Sequence, residues 1–163
     1  MKKQELIDNF LEKNKYMCSK FILFGTPVEI RSFQLKFLGD EKNSKKIKNI
    51  LKQILFQKIE PITEKYSKKL GVSYNKILIR NQKTKWASCS SKKNLSFNIK
   101  MISLHESLIN YLVFHEMLHL IEKNHSKKFI SLIEKEFPNY KKMEDELTKY
   151  WFILNNNHFW ANF

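Results

Sequence analysis

Glycine and proline are scarce in this chain, three of each among 163 residues. That scarcity excludes collagen-like, Gly/Ser-linker and proline-rich architectures. Two cysteines, Cys18 and Cys89, cannot build a disulfide framework, and a chain of this length needs none to bury a core. No apolar run approaches the ~20 residues needed to cross a bilayer, and the basic start MKKQELIDNFLEKNK lacks the apolar stretch of a secretory signal. These absences lead us to expect a cytoplasmic protein in a reducing compartment. Arginine is scarce too: only Arg31 and Arg80 stand among the 30 basic residues, so the net charge of +14 comes almost wholly from lysine. A field of that sign attracts nucleic acid, anionic surfaces or acidic substrates. Arginine, however, is the residue that reads phosphates and base edges bidentately, so lysine points to general basicity more than to a reading surface.

What is present is core-forming material, 42% hydrophobic and 13% aromatic. No repeat or linker divides the chain, and we expect one domain over residues 1–163. Residues 1–74 should carry an N-terminal helix (Gln4–Tyr16), a hairpin and Lys-rich helices. The hairpin's strands are expected at Lys20–Phe24 and Val28–Leu38 around a Gly25-Thr26-Pro27 turn, followed by a loop at Gly39–Asn43. The Lys-rich helix starts at Ser44, with Pro61 expected to break or kink it and Gly71 to end it. Residues 75–163 read as a catalytic core: strands at Lys76–Asn81 and Leu95–Ile99, a polar loop between them, and helices at Ser107–Ile121, Ser126–Phe137 and Lys141–Leu154. The fold class is α+β.

The segment SLINYLVFHEMLHLI is apolar around its whole circumference, so it should be a buried helix. Into it are set His115, Glu116 and His119, polar groups that cost several kcal/mol to bury unpaired. His115 and His119 stand one helical turn apart on one face, the spacing for two nitrogens to hold one zinc ion, with Glu116 beside them and off the ligand positions. His125 follows Asn124, a residue that tolerates the left-handed conformation able to turn the chain back toward the metal. Three protein ligands with room for water describe a catalytic zinc site. His105 and His158 are expected to be solvated, and Cys89 inert.

The segments KTKWASCSSKKNLSFNIKMI and YLVFHEMLHLIEKNHSKKF together resemble the YgjP-like (SprT/WLM-related) zinc metallopeptidase family. The residues that carry the resemblance are Trp86, Ser88, Cys89 and Ser90, then Asn124, His125, Ser126 and Phe129, over about residues 75–150. The resemblance implies a minimal zincin-like core, with a small antiparallel sheet packed on a central zinc-binding helix. It also implies that His115, His119 and His125 hold zinc, that Glu116 is the base, and that an extended protein or peptide substrate adds to the strand before the helix. Ala87 and Lys85 depart from the family's usual Gly and frequent Arg.

The expected reaction is hydrolysis by a metal-activated water, with Glu116 as general base. Tyr111, Lys85 and His158 are candidate oxyanion donors, and Glu122, Glu134, Glu144 and Asp145 candidate carboxylates for orienting the histidines. Two other readings use the same residues. A zinc-dependent nucleotide or phosphoanhydride hydrolase would exploit the positive field. A basic nucleic-acid-binding protein with a structural zinc would bind through the Lys45–Lys69 helix and the Lys83–Lys93 loop.

Overall fold

The computed structural model describes residues 15–28 and 41–161, with Asn9, Glu12 and Lys13 besides. Most of the expected strand Val28–Leu38 and part of the expected N-terminal helix lie outside the described residues. Asn9, Glu12 and Lys13 are helical, and helix α1 spans Lys15–Ser19.

Strands β1 (Phe21–Leu23) and β2 (Thr26–Val28) form a tight antiparallel hairpin. Its turn is Phe24-Gly25, one step earlier than expected, because both residues take positive φ (47° and 81°) and Thr26 and Pro27 already belong to β2. Two left-handed residues in succession give the twist that a two-residue hairpin requires. The turn docks on the core: Phe24 N–H donates to the Ile102 carbonyl at 2.8 Å and Gly25 N–H to that of Ser103 at 3.2 Å. A Cβ on Gly25 would come within 2.1 Å of Nδ1 of His105, whose ring packs edge-on against Tyr150. Gly25→Ala is therefore expected to lower stability by about 2–3 kcal/mol, through the left-handed backbone and the clash together. Urea unfolding measures this, and a loss below about 0.5 kcal/mol, the range of ordinary surface substitutions, would show that the turn is not docked.

Helix α2 runs unbroken from Glu41 to Leu70, with Pro61 inside it. It thus begins within the expected Gly39–Asn43 loop, and the expected break at Pro61 does not occur. Pro61 and Gln57, the residue whose carbonyl loses its hydrogen bond, are both exposed, so water can take the freed acceptor. The opposite face buries Leu51, Leu55, Ile59, Ile62 and Tyr66, a stripe at helical spacing whose burial outweighs the cost of about 3 kcal/mol. Gly71, at φ 64°, ends the helix as expected.

Strands β3 (Lys76–Arg80), β4 (Ala87–Cys89) and β5 (Asn94–Asn98) form a sheet in the order β3-β5-β4. The sheet is mixed: β4 pairs antiparallel with β5, whereas β3 pairs with β5 in parallel, from Lys76 opposite Asn94 to Arg80 opposite Asn98. The small antiparallel sheet that the resemblance implies is thus antiparallel in its β4–β5 pair and parallel in its β3–β5 pair. The parallel pair arises because β4, hidden in the polar loop, runs the opposite way, so the chain reverses twice between β3 and β5. A 3-10 turn (Ile99–Ser103) leads into α3 (Glu106–Leu118), followed by α4 (Lys127–Glu136), α5 (Tyr140–Asn155) and the short α6 (His158–Ala161).

Helix α3 is the centre. Nine of its thirteen residues are buried, including Leu108, Ile109, Val113 and Met117. It lies between α2, where Tyr66 meets Phe114 edge-on at 4.9 Å, and β4. The buried residues from Phe21 to Trp160 form one continuous cluster. Among the described residues no helix is long and apolar enough to cross a membrane.

Candidate metal centre

The last turn of α3 carries the chemistry. His115 and Glu116 stand inside the helix, and His119 caps its C-terminus with φ −64° and ψ −12°. The chain leaves through successive tight turns, in which Leu120 N–H donates to the Met117 carbonyl and both Ile121 and Glu122 N–H donate to that of Leu118. Asn124 is not among the residues with positive φ. These turns, and not a left-handed Asn124, swing His125 back. Ser126 then caps α4, its Oγ accepting from Phe129 N–H at 3.2 Å, which anchors both the loop end and Phe129.

The result brings His115, His119 and His125 together, with one ligand-type atom from each lying within 4.8 Å of the others. The Nε2 atoms of His115 and His125 are 3.0 Å apart. Two nitrogens bound tetrahedrally to one ion at ~2.0–2.1 Å would sit ~3.3 Å apart. Phe129, fully buried, backs all three imidazoles, with ring centroids 5.0, 4.8 and 4.7 Å from those of His115, His119 and His125. Nδ1 of His119 lies 3.2 Å from the backbone carbonyl of Glu122, which favours a proton on Nδ1 and turns Nε2 toward the other rings. Burial, reinforced by the positive charge that His119 and His125 would carry, pushes His115 down to about 4. His119 is lowered by burial as well. Both are thus neutral near pH 7, as metal ligation requires. The donor set fits a divalent metal ion.

Glu116 is buried, and burial pushes its carboxyl up to about 7, against the opposing pull of the Lys85 ammonium and a hydrogen bond from the Cys89 N–H. Its Oε2 is buried and has no hydrogen-bond partner. One oxygen is therefore held by β4 while the other is uncommitted, the arrangement a proton acceptor needs. Cys89 itself is half-buried and its thiol is pushed up, by burial and then by Glu116.

The remaining candidates separate. Tyr111 O–H donates to Oε1 of Glu144 at 2.9 Å, so this hydroxyl is already committed and Glu144 serves Tyr111, not a histidine. Glu122 contributes its backbone carbonyl to His119, while Glu134 and Asp145 are exposed and outside the histidine group. The His158 side chain lies outside the described residues. Of the two proposed oxyanion donors whose side chains are described, Lys85 is the one whose charge acts on Glu116.

Sequence reasoning missed two supports. Asn98, fully buried, donates from Nδ2 to the carbonyls of Gln82 (2.8 Å) and Lys85 (2.9 Å), while its N–H donates to the Trp86 carbonyl (2.7 Å). It clamps the loop that carries Lys85 into β4. Asn98→Ala leaves two carbonyls without that partner and is expected to cost about 2–4 kcal/mol, read by chemical denaturation, and to lower activity by releasing Lys85. The second support is a pair of aromatics, Trp86 and Trp151, edge-on at 5.0 Å beside the site. Lys100 pins Trp151, its Nζ donating to Oδ1 of Asn155 at 2.7 Å and lying 5.8 Å from the centre of the indole.

A family model described as YgjP-like, metallopeptidase domain, matches residues 27–150. Among solved structures, the metallopeptidase zymogen abylysin of Pyrococcus abyssi is 27% identical, with a TM-score of 0.50, over 55% of this chain and 90% of that one. The metallopeptidase zymogen jannalysin of Methanocaldococcus jannaschii is 29% identical, with a TM-score of 0.51, over 56% of this chain and 94% of that one. No curated protein matches the chain.

Proposed function

The chain belongs to the YgjP-like metallopeptidase family, and on that premise we propose that it is a zinc peptidase in which His115, His119 and His125 hold the ion and Glu116 is the general base. Membership makes it a metal-dependent hydrolase of proteins or peptides. The observation that carries the finer reading is the convergence of three imidazoles beside a buried carboxylate with one unpartnered oxygen. Imidazole nitrogens suit zinc, and three of them leave a position open. Bound there, zinc would polarise the scissile carbonyl and acidify a water.

The chain's own residues do the rest. Glu116 Oε2 takes the proton from the attacking water and passes it to the leaving amine, while the Cys89 N–H holds the other oxygen in place. A carboxyl poised near neutrality can do both, which burial provides. Lys85, exposed and facing Glu116, is the candidate to stabilise the negative charge that develops on the carbonyl oxygen. Among the described residues strand β4 is an edge of its sheet, so an extended peptide can pair with it and lie across Glu116.

The test is hydrolysis of a peptide library beside a nucleotide panel, each with and without chelator and with metal content measured. Chelator-sensitive peptide cleavage is the expected result. Nucleotide cleavage alone would reassign the reaction to phosphoanhydrides.

A further inference from the structure

Two hollows of opposite chemistry meet at His115 and Glu116. One, about 390 Å3, is walled largely by Trp86, Leu112, Leu147, Trp151 and Phe152. The other, about 550 Å3, is lined by Lys85, Lys93 and Lys123 with Ser88, Ser90 and Ser91, and its only acidic lining residue is Glu116. The hollows adjoin along the start of β4, since both are lined by Lys85, Ala87, His115 and Glu116. Of the two acids that line the aromatic hollow, Glu116 is shared with the other and Glu144 is occupied by Tyr111.

Lys93 and Lys123 carry no ion pair among the described residues. Lys93 also sits where a lysine is disfavoured, at φ 57° in the β4–β5 turn. The turn holds it there: Lys93 N–H donates to the Ser90 carbonyl (2.8 Å), and Ser90 N–H to that of Asn94 (3.0 Å). Glycine or asparagine would fill that position with less strain, so the lysine stands there at a cost to the turn. Backbone strain of this kind gathers at binding and catalytic sites.

We propose that the lysine-lined hollow seats an acidic side chain, Asp or Glu, of a peptide lying along β4, while the aromatic hollow seats a bulky apolar side chain on the other side of the scissile bond. This substrate class rests on the peptidase reading above and narrows it. The attraction is that of exposed charges, so two lysines give about a ten-fold preference at low salt, and screening shrinks it.

The test uses zinc-loaded Glu116→Gln protein and fluorescent peptides that carry Glu or Lys on one side of the central bond and Phe or Ala on the other. Anisotropy reads binding without turnover, and the wild-type protein is assayed for cleavage of the same set. The Glu/Phe peptide is expected to bind about ten-fold more tightly than its Lys/Phe counterpart at low salt. Adding Lys93→Asn and Lys123→Gln should remove most of that ratio, with the melting temperature unchanged or raised because asparagine relieves the turn. Equal affinity for Glu and Lys peptides, or a preference that survives the double substitution, overturns the acidic-hollow assignment while cleavage leaves the peptidase intact. No binding and no cleavage of any peptide overturns both.

Discussion

Glu116→Gln is expected to lower kcat by about 10³-fold while the protein keeps its zinc and its melting temperature. The amide has the shape of the carboxylate, and its oxygen can still accept the Cys89 N–H that holds Glu116 against β4. What it cannot do is take a proton at the position of Oε2, the atom left without a partner. Stability should not fall, because a neutral amide in that buried place has less desolvation to overcome than a carboxylate. Rate measurement, metal analysis and thermal unfolding on one preparation separate the outcomes. Wild-type turnover with full metal would remove Glu116 from the mechanism. Lost metal with lost turnover would instead make it a ligand.

His125→Ala should weaken zinc binding by on the order of 10²–10³-fold, one ligand's share of the ~10–16 kcal/mol typical of a complete structural zinc site. His125 is the clean probe of the three because it is exposed on the loop after α3, whereas His115 is largely enclosed. The metal-free variant should therefore unfold within about 0.5 kcal/mol of the metal-free wild type. Added zinc should raise the melting temperature of the wild type far more than that of the variant. Calorimetric titration gives the affinities directly, and an unchanged zinc affinity would take His125 out of the ligand set.

How far the sequence foretold this arrangement depends on the range of each signal. The spacing of His115 and His119 is a local property of helices, and the apolar run around them announced a buried α3. Ser126 and Phe129 declared the start of α4 through capping, again within one turn. Strand β4 was invisible because three residues, Ala87-Ser88-Cys89, show no periodicity, and they become a strand only by pairing with β5. The parallel alignment of β3 with β5 is equally non-local. Pro61 misled because propensity was weighed without knowing that its face of α2 is exposed while the opposite face buries a long apolar stripe. The orienting groups at the site eluded side-chain reasoning for a different cause. They are backbone atoms, the Glu122 carbonyl and the Cys89 N–H, which every residue type but proline would supply. Asn98 could have been suspected only as a polar residue closing an apolar strand.

The β4 segment that steadies Glu116 is three residues long and, among the described residues, lies at a sheet edge, whereas the three imidazoles come from one short stretch, His115 to His125, closed by turns and backed by Phe129. Edge segments this short open at lower free energy than the core around them. The strand that steadies the base and the helix that carries both base and metal ligands therefore belong to different cooperative units of the same molecule. In a rising urea series, peptide hydrolysis should disappear first, while zinc stays bound until α3 itself unfolds. The order of failure follows from which neighbour each group leans on.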